Sequence, residues 1–263
     1  MYKIKCNGTR FMNELISPVM GVSPVLWPTL LLMLIYGVRY SVFASLMFII
    51  SRPQFNIGRA HFIPPTSFKI NSHVQREIMY SFMTVLVFGA VNAILYGTGW
   101  IHTSQLYFQL SDHSMAWFYL SIPVMLIIHD TLFYWLHRAM HTRLLFNVMH
   151  KVHHQSIYPT AFAAYSFHPT EALAEALIVV VIIYIMPSHP LAILAFQTIS
   201  TAINTYGHCG REFYPIGTDT HWLGRWINTS TTHAAHHIKG RSNYGLYLLF
   251  WDRVMGTFEP PRK

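Results

Sequence analysis

Charge is scarce in this chain: Asp, Glu, Lys and Arg make up only 11% of its 263 residues, while apolar residues make up 52%. A soluble globular domain carries about a quarter charged residues, so the composition excludes an ordinary soluble fold and reads as membrane-embedded. Acidic residues are the rarer of the two charged kinds, 10 against 18 basic, for a formal charge of +8. The basic residues are scattered between apolar runs instead of gathered on one polar face, which speaks against nucleic acid and for basic loops beside membrane segments. Cysteine is nearly absent. Cys6 and Cys209 stand far apart in no metal-ligand spacing, which excludes a disulfide framework and a thiolate zinc site. No compact apolar stretch with a small-residue cleavage site follows Lys3, Lys5 and Arg10, so the first apolar run is expected to stay as an anchor. Low-complexity segments are missing, and the one internal recurrence is a His-x-x-His-His pattern.

What is present is a set of apolar runs punctuated by turns. Residues 1–22 read as a surface tail. Trp27 to Ile50 has the ~20 residues that a hydrocarbon core requires, with Arg39 near its middle. A charge there is costly, so the run is either one tilted span with Arg39 against protein or two shorter segments in a shallow hairpin. Arg52 to His73 is polar and contains Pro53, Pro64 and Pro65, a loop outside the bilayer. Further spans are predicted over about Tyr80–Tyr96 and Met115–Leu136. Ala172 to Asn204 is split at Met186–Pro190 by two prolines and reads as a helical hairpin. From Gly207 the chain is polar, aromatic and basic, a cytosolic cap. The hairpin turn carries no Lys or Arg while its flanks carry Arg143, Lys151, Arg211 and Arg225, so the histidine-bearing segments share the cytoplasmic face. The N-terminal basic residues want the same side, which favours an even number of crossings before His129 and a total of four to five. The fold class is therefore an all-α integral membrane protein of four to five transmembrane helices with a cytosolic histidine-rich helical cap holding a dimetal site. Residues 1–73 form the tail, anchor and loop, 74–258 the catalytic domain, and 259–263 the C-terminal tail.

Histidine is the abundant functional group. His137 and His141, then His150, His153 and His154, then His233, His236 and His237 are spaced i, i+3 or i+4, which puts each set on one helix face. His141 and His150 are nine residues apart, about half a turn out of phase on a straight helix, so a break near Thr142–Arg143 is required. Asn204 and His208 are again i, i+4 at the end of the last apolar helix. His129 lies two turns before His137 beside Asp130, a carboxylate able to orient an imidazole. Imidazole suits iron, zinc, copper and nickel alike. The eight motif histidines with His208 are too many for one ion and suit two, with a position open for a small molecule. Two redox metals at a membrane edge point to oxygen chemistry on a lipid-soluble substrate. His102, His113 and His189 read as hydrogen-bonded packing residues.

His137-Arg-Ala-Met-His141, His150-Lys-Val-His-His154 and His233-Ala-Ala-His-His237 resemble the three histidine boxes of the fatty acid hydroxylase and sterol desaturase superfamily. His129-Asp130, Phe133-Tyr134-Trp135, Phe167-His-Pro-Thr-Glu171, Gly207-His208, Asn243-Tyr-Gly245, Trp251-Asp252 and Gly256-Thr-Phe258 resemble its accessory motifs, most closely those of the C-5 sterol desaturase branch, over about residues 74–258. The resemblance implies a membrane oxidoreductase with two iron ions, O2 as co-substrate and an external electron donor, hydroxylating or desaturating a sterol, fatty acyl or related lipid. Zinc is able to take the place of iron in the isolated protein. It implies His137, His141, His150, His153, His154, His208, His233, His236 and His237 as metal ligands. His129, Asp130, His168 and Asn204 follow as further ligands or as groups that orient them.

The chain contains neither His-Pro-Gly-Gly, the mark of a fused haem domain, nor a Gly-rich dinucleotide fingerprint. Electrons are then expected from a ferredoxin, or from cytochrome b5 with its reductase, docking on the basic cytosolic face of a bacterial inner membrane or endoplasmic reticulum protein. Two rival readings use the same histidines. A metal transporter spreads its ligands through the membrane depth, whereas these cluster at the ends of apolar runs. A zinc hydrolase needs a catalytic carboxylate, for which Asp130 and Glu171 are the candidates, beside a three-ligand site.

Overall fold

A computed structural model describes residues 23, 25–52, 55, 57–60 and 72–260. The tail over residues 1–22 and most of the loop after Arg52 lie outside the described residues, as does Cys6. Three helices among the described residues are long and apolar enough to cross a membrane: α1 (Leu26–Ile50), α2 (Ser72–Gly97) and α3 (Met115–Met140). Only 22–33% of the most apolar window of each is buried within the protein. Leu34, Phe82 and Ile127 accordingly point outward, as a helix bathed in lipid requires.

α1 is one continuous helix, and Arg39 is buried against protein. Its Nε donates to Thr201 Oγ1 at 3.1 Å, its Nη1 donates to Gln197 Oε1 at 3.0 Å, and the guanidinium lies 5.2 Å from the Tyr36 ring centre. α2 starts eight residues before the predicted Tyr80, because Val74 and Glu77 are buried and Glu77 receives the Thr160 hydroxyl. α3 is capped by Ser114, whose hydroxyl accepts from the Trp117 N–H, and it runs four residues past the predicted end, carrying His137 with it.

After α3 the chain breaks into turns and a π-helical turn (Phe146–His150), followed by the one-turn α4 (Lys151–His154). The predicted hairpin is α5 (Pro169–Ile185) and α6 (Pro190–Gly207). Both of its helices open with His-Pro: His168 and His189 are N-caps, and the proline following each sits at the first helical position, where its missing N–H is no loss. α7 (Ser230–Lys239) and the short α8 (Phe250–Val254) complete the cap. A two-stranded antiparallel sheet pairs β1 (Arg59–Ala60) with β2 (Arg211–Glu212). Arg211 ties this layer to the end of α1, its Nε donating to Ser51 O at 2.7 Å and its Nη1 to Ile57 O at 2.8 Å.

The main core lies between α3, α5 and α6, where Met125, Phe133, Ile178, Ile182 and Phe196 pack together. The α1 C-terminus, the α3 C-terminus, the α5 N-terminus and the α6 C-terminus lie at the capped end, and so does the Glu77 end of α2. Among the described residues, three helices long enough to cross lead up to the histidines, the third of them carrying His137, whereas the N-terminal basic residues favour an even number of crossings.

Candidate metal centre

The last turn of α3 supplies His137, and its C-cap residue is His141. The required break falls at Thr142, and the π turn that follows brings His150 and then α4 back toward α3. α7 carries His233, His236 and His237 between a Thr229 N-cap and a left-handed Gly240 at φ 68° that ends the helix. His208 caps the C-terminus of α6. The fold gathers all nine of these imidazoles into two adjoining groups: His137, His141, His150, His154 and His236 in one, and His153, His208, His233 and His237 in the other. Within each group the candidate ligand atoms lie within 4.8 Å of one another. His154 and His237, one from each group, stack with centroids 4.8 Å apart.

The hydrogen bonds fix which ring nitrogens converge. His137 Nδ1 donates to Tyr244 O at 2.8 Å, His150 Nδ1 to Glu171 Oε1 at 2.6 Å, His208 Nδ1 to Asn204 O at 2.8 Å and His236 Nδ1 to Ser242 O at 2.7 Å. With a proton on each Nδ1, each Nε2 presents a lone pair. These lone pairs face one another: His137 to His150 at 2.9 Å, His154 to His236 at 3.0 Å, His208 to His233 at 3.0 Å and to His153 at 3.3 Å. His141 Nε2 is buried with no hydrogen-bond partner among the described residues.

Protonation does not relieve the repulsion, because burial, reinforced in most of them by neighbouring imidazoles, holds these rings neutral. His150, His153, His154, His233, His236 and His237 are pushed well below their ordinary 6.5, and His141 and His208 down to about 4. A cation between the lone pairs does relieve it. Two nitrogens each about 2.1 Å from one ion and at right angles lie about 3 Å apart, the spacing seen here. The residues present therefore fit a pair of metal ions, with carbonyl and carboxylate partners orienting the rings from behind.

The four remaining candidates lie outside both groups. His129 Nδ1 meets the Tyr247 hydroxyl at 3.1 Å. Asp130 contacts no imidazole among the described residues; its Oδ1 accepts the N–H groups of Leu246 at 3.2 Å and Tyr247 at 2.7 Å. With Asp252, which takes the N–H groups of Tyr244 and Gly245, it pins the loop whose Tyr244 carbonyl aligns His137. Gly245 is required there, since a Cβ would come within 2.1 Å of Leu248 O. His168 caps α5. Asn204 acts through its backbone oxygen, while its side-chain amide donates to Ala164 O at 2.9 Å. Sequence reasoning missed Glu171 as the partner of His150. Its signal is a carboxylate in the first turn after His168-Pro169, facing the cap.

An apolar cavity of about 350 Å³ reaches from the hairpin turn toward the histidines. Pro190, Ile101 and Leu106 line its far end, and Phe133, Phe167 and His129 its near end. The Phe133 ring lies 5.1 Å from that of His137, and the Phe167 ring 5.3 Å from that of His153.

Comparison with known proteins agrees with this arrangement. The lathosterol oxidase of Rattus norvegicus is 30% identical over 194 residues, covering 73% of this chain and 63% of its own length. The lathosterol oxidase of Homo sapiens is 28% identical over the same 73% and 63%. The Delta(7)-sterol 5(6)-desaturase of Leptosphaeria maculans is 30% identical over 60% of this chain and 42% of its own length. The chain thus spans less than two thirds of the length of these relatives, and no solved structure matches it. The family model described as fatty acid hydroxylase matches residues 122–257, a stretch that holds all nine clustered histidines and the hairpin between them, and the chain belongs to that family.

Proposed function

We propose that the chain is a multi-pass membrane oxidoreductase that holds two iron ions and uses O2 and electrons from outside to hydroxylate or desaturate a lipid, with a sterol as the first candidate. The observation that carries this reading is the pair of neutral imidazole groups with converging lone pairs at the end of an apolar cavity. Relatives named lathosterol oxidase and Delta(7)-sterol 5(6)-desaturase support the substrate class. In this reading residues 74–258 form the catalytic unit. The three long helices and the hairpin, whose helices are about 26 Å long, make four to five membrane passes, with the histidine cap in the cytosol of a bacterial inner membrane or endoplasmic reticulum protein.

Bound iron supplies activation of O2 and removal of hydrogen from an unactivated C–H bond. The chain's own residues determine where that happens. His137, His141, His150, His154 and His236 would hold one ion, and His153, His208, His233 and His237 the other. Tyr244 O, Glu171, Asn204 O and Ser242 O keep their rings in the ligating tautomer. Phe133 and Phe167 form the apolar lip that excludes water from the reacting carbon. A ferredoxin, or cytochrome b5 with its reductase, delivers electrons to the basic face.

The hydrolase reading is weakened by the carboxylates it needs, since Asp130 is spent on backbone N–H groups and Glu171 on His150. The test is the lipid profile of a host expressing the wild type beside His153→Ala. A sterol gaining a double bond, or a lipid gaining a hydroxyl, in the wild type alone is expected. Identical profiles with iron loaded and a donor supplied would overturn the reading.

A further inference from the structure

Most of the polar groups that reach the cavity wall already have partners. Arg39 is held by Thr201 and Gln197, His129 by Tyr247, and Asn204 by Ala164. The Tyr247 hydroxyl donates to Ser200 at 2.7 Å. Glu175 differs: it is 8% exposed, it lines the cavity, and its Oε1 is buried with no hydrogen-bond partner among the described residues. A carboxyl left unsatisfied in apolar surroundings costs several kcal/mol, and such a group in a folded chain calls for an explanation. Packing does not provide one, since beyond Glu171 the inner side of α5 is otherwise apolar, with Ala176, Val179 and Val180 beside Glu175 in the wall. Its place does. Glu175 follows Glu171 by one helical turn, about 6 Å, and Glu171 touches His150.

Resting on the lipid-oxidising reading above, we propose that Glu175 is the anchor for the substrate's hydroxyl group. It sets the lipid with its polar end beside the histidines and its hydrocarbon toward Pro190 and Ile101. A carboxyl accepts a hydrogen bond from an alcohol whether or not it is ionised, so the anchor does not depend on its charge. The placement selects a lipid attacked a few bonds from its hydroxyl rather than at the far end of a chain. A Delta(7)-sterol meets this requirement, because its hydroxyl-bearing C3 and its C5 are separated by a single carbon.

The test is direct binding by the full-length protein in detergent, with lathosterol and its 3-methyl ether as probes, read by retention of the radiolabelled sterol. The wild type is expected to prefer the free alcohol by about tenfold or more. Glu175→Leu should bind both equally, and Glu175→Gln, which keeps an acceptor oxygen, should restore part of the preference. Unchanged metal content in each variant shows that the fold and the histidine groups are intact. A Glu175→Leu protein that still discriminates as the wild type does would overturn the anchor. If the wild type binds neither sterol, the sterol reading fails, and the anchor is read on a long-chain alcohol and its methyl ether instead. There, preference lost in Glu175→Leu sustains it, and no preference in the wild type overturns it.

Discussion

Glu171→Ala should loosen one metal ion of the two. The Glu171 carboxylate accepts from His150 Nδ1 at 2.6 Å, and both side chains are 2% exposed. Without it, a buried N–H is stranded at a cost of about 1–3 kcal/mol, and the ring is free to rotate or change tautomer, turning Nε2 away from His137. Loss of such an orienting partner weakens metal binding about 10- to 100-fold, or about 1.4–2.7 kcal/mol. Glu171→Gln keeps an acceptor oxygen at the same place and should lose less. The group formed by His153, His208, His233 and His237 does not touch Glu171 and should keep its ion. The assay is titration of loaded protein with a chelator of known affinity, with iron counted by mass spectrometry. Wild type should release its ions in the same chelator range, whereas Glu171→Ala should release one early and one late. A Glu171→Ala protein that holds both ions as tightly as wild type would refute the idea that this carboxylate fixes the His150 ring.

Asn204→Ala should leave iron content unchanged, because His208 is oriented by the backbone oxygen; the loss of the amide bond to Ala164 should lower stability by about 1 kcal/mol in thermal melts. Asp130→Ala strands the N–H groups of Leu246 and Tyr247 in a buried loop and should destabilise by about 2–4 kcal/mol, with Asp130→Asn milder; equal melting temperatures would contradict the pinning role. The metal-free protein should lose stability as pH falls from about 6.5 toward 4. His141 and His208, held at about 4 when folded, ionise near 6.5 when unfolded, so the unfolded chain binds more protons in that window and is favoured there. Iron should leave over the same range as protons compete for Nε2, and a flat melting temperature between pH 6.5 and 4 would contradict this.

Much of the fold and of the candidate site was legible because short-range spacing carries it. The i, i+3 and i+4 histidines, the half-turn mismatch between His141 and His150 and the paired prolines at the hairpin turn are local signals, and the structure has a helix face, a break and a turn at those places. Helix ends were less legible: α2 and α3 extend beyond their apolar runs because buried polar partners, Glu77 with Thr160 and His137 with Tyr244, stabilise the extra turns. What spacing does not encode is which distant backbone oxygen meets which ring. Tyr244 is 107 residues from His137, and Asp130 is 117 from Tyr247. Sequence adjacency therefore pointed Asp130 at His129, when folding gives it to a loop more than a hundred residues away. The division of nine histidines into five and four was hidden for the same reason, since His153 and His154 are neighbours in sequence and belong to different groups.

The two histidine groups are proposed to be iron sites. The most direct test is the metal content of the full-length protein purified from iron-replete cells, beside variants that strike one group each, His150→Ala and His208→Ala. Two irons per chain in the wild type and about one in each variant is the predicted result. One zinc per chain, or two irons that survive both substitutions, would contradict it.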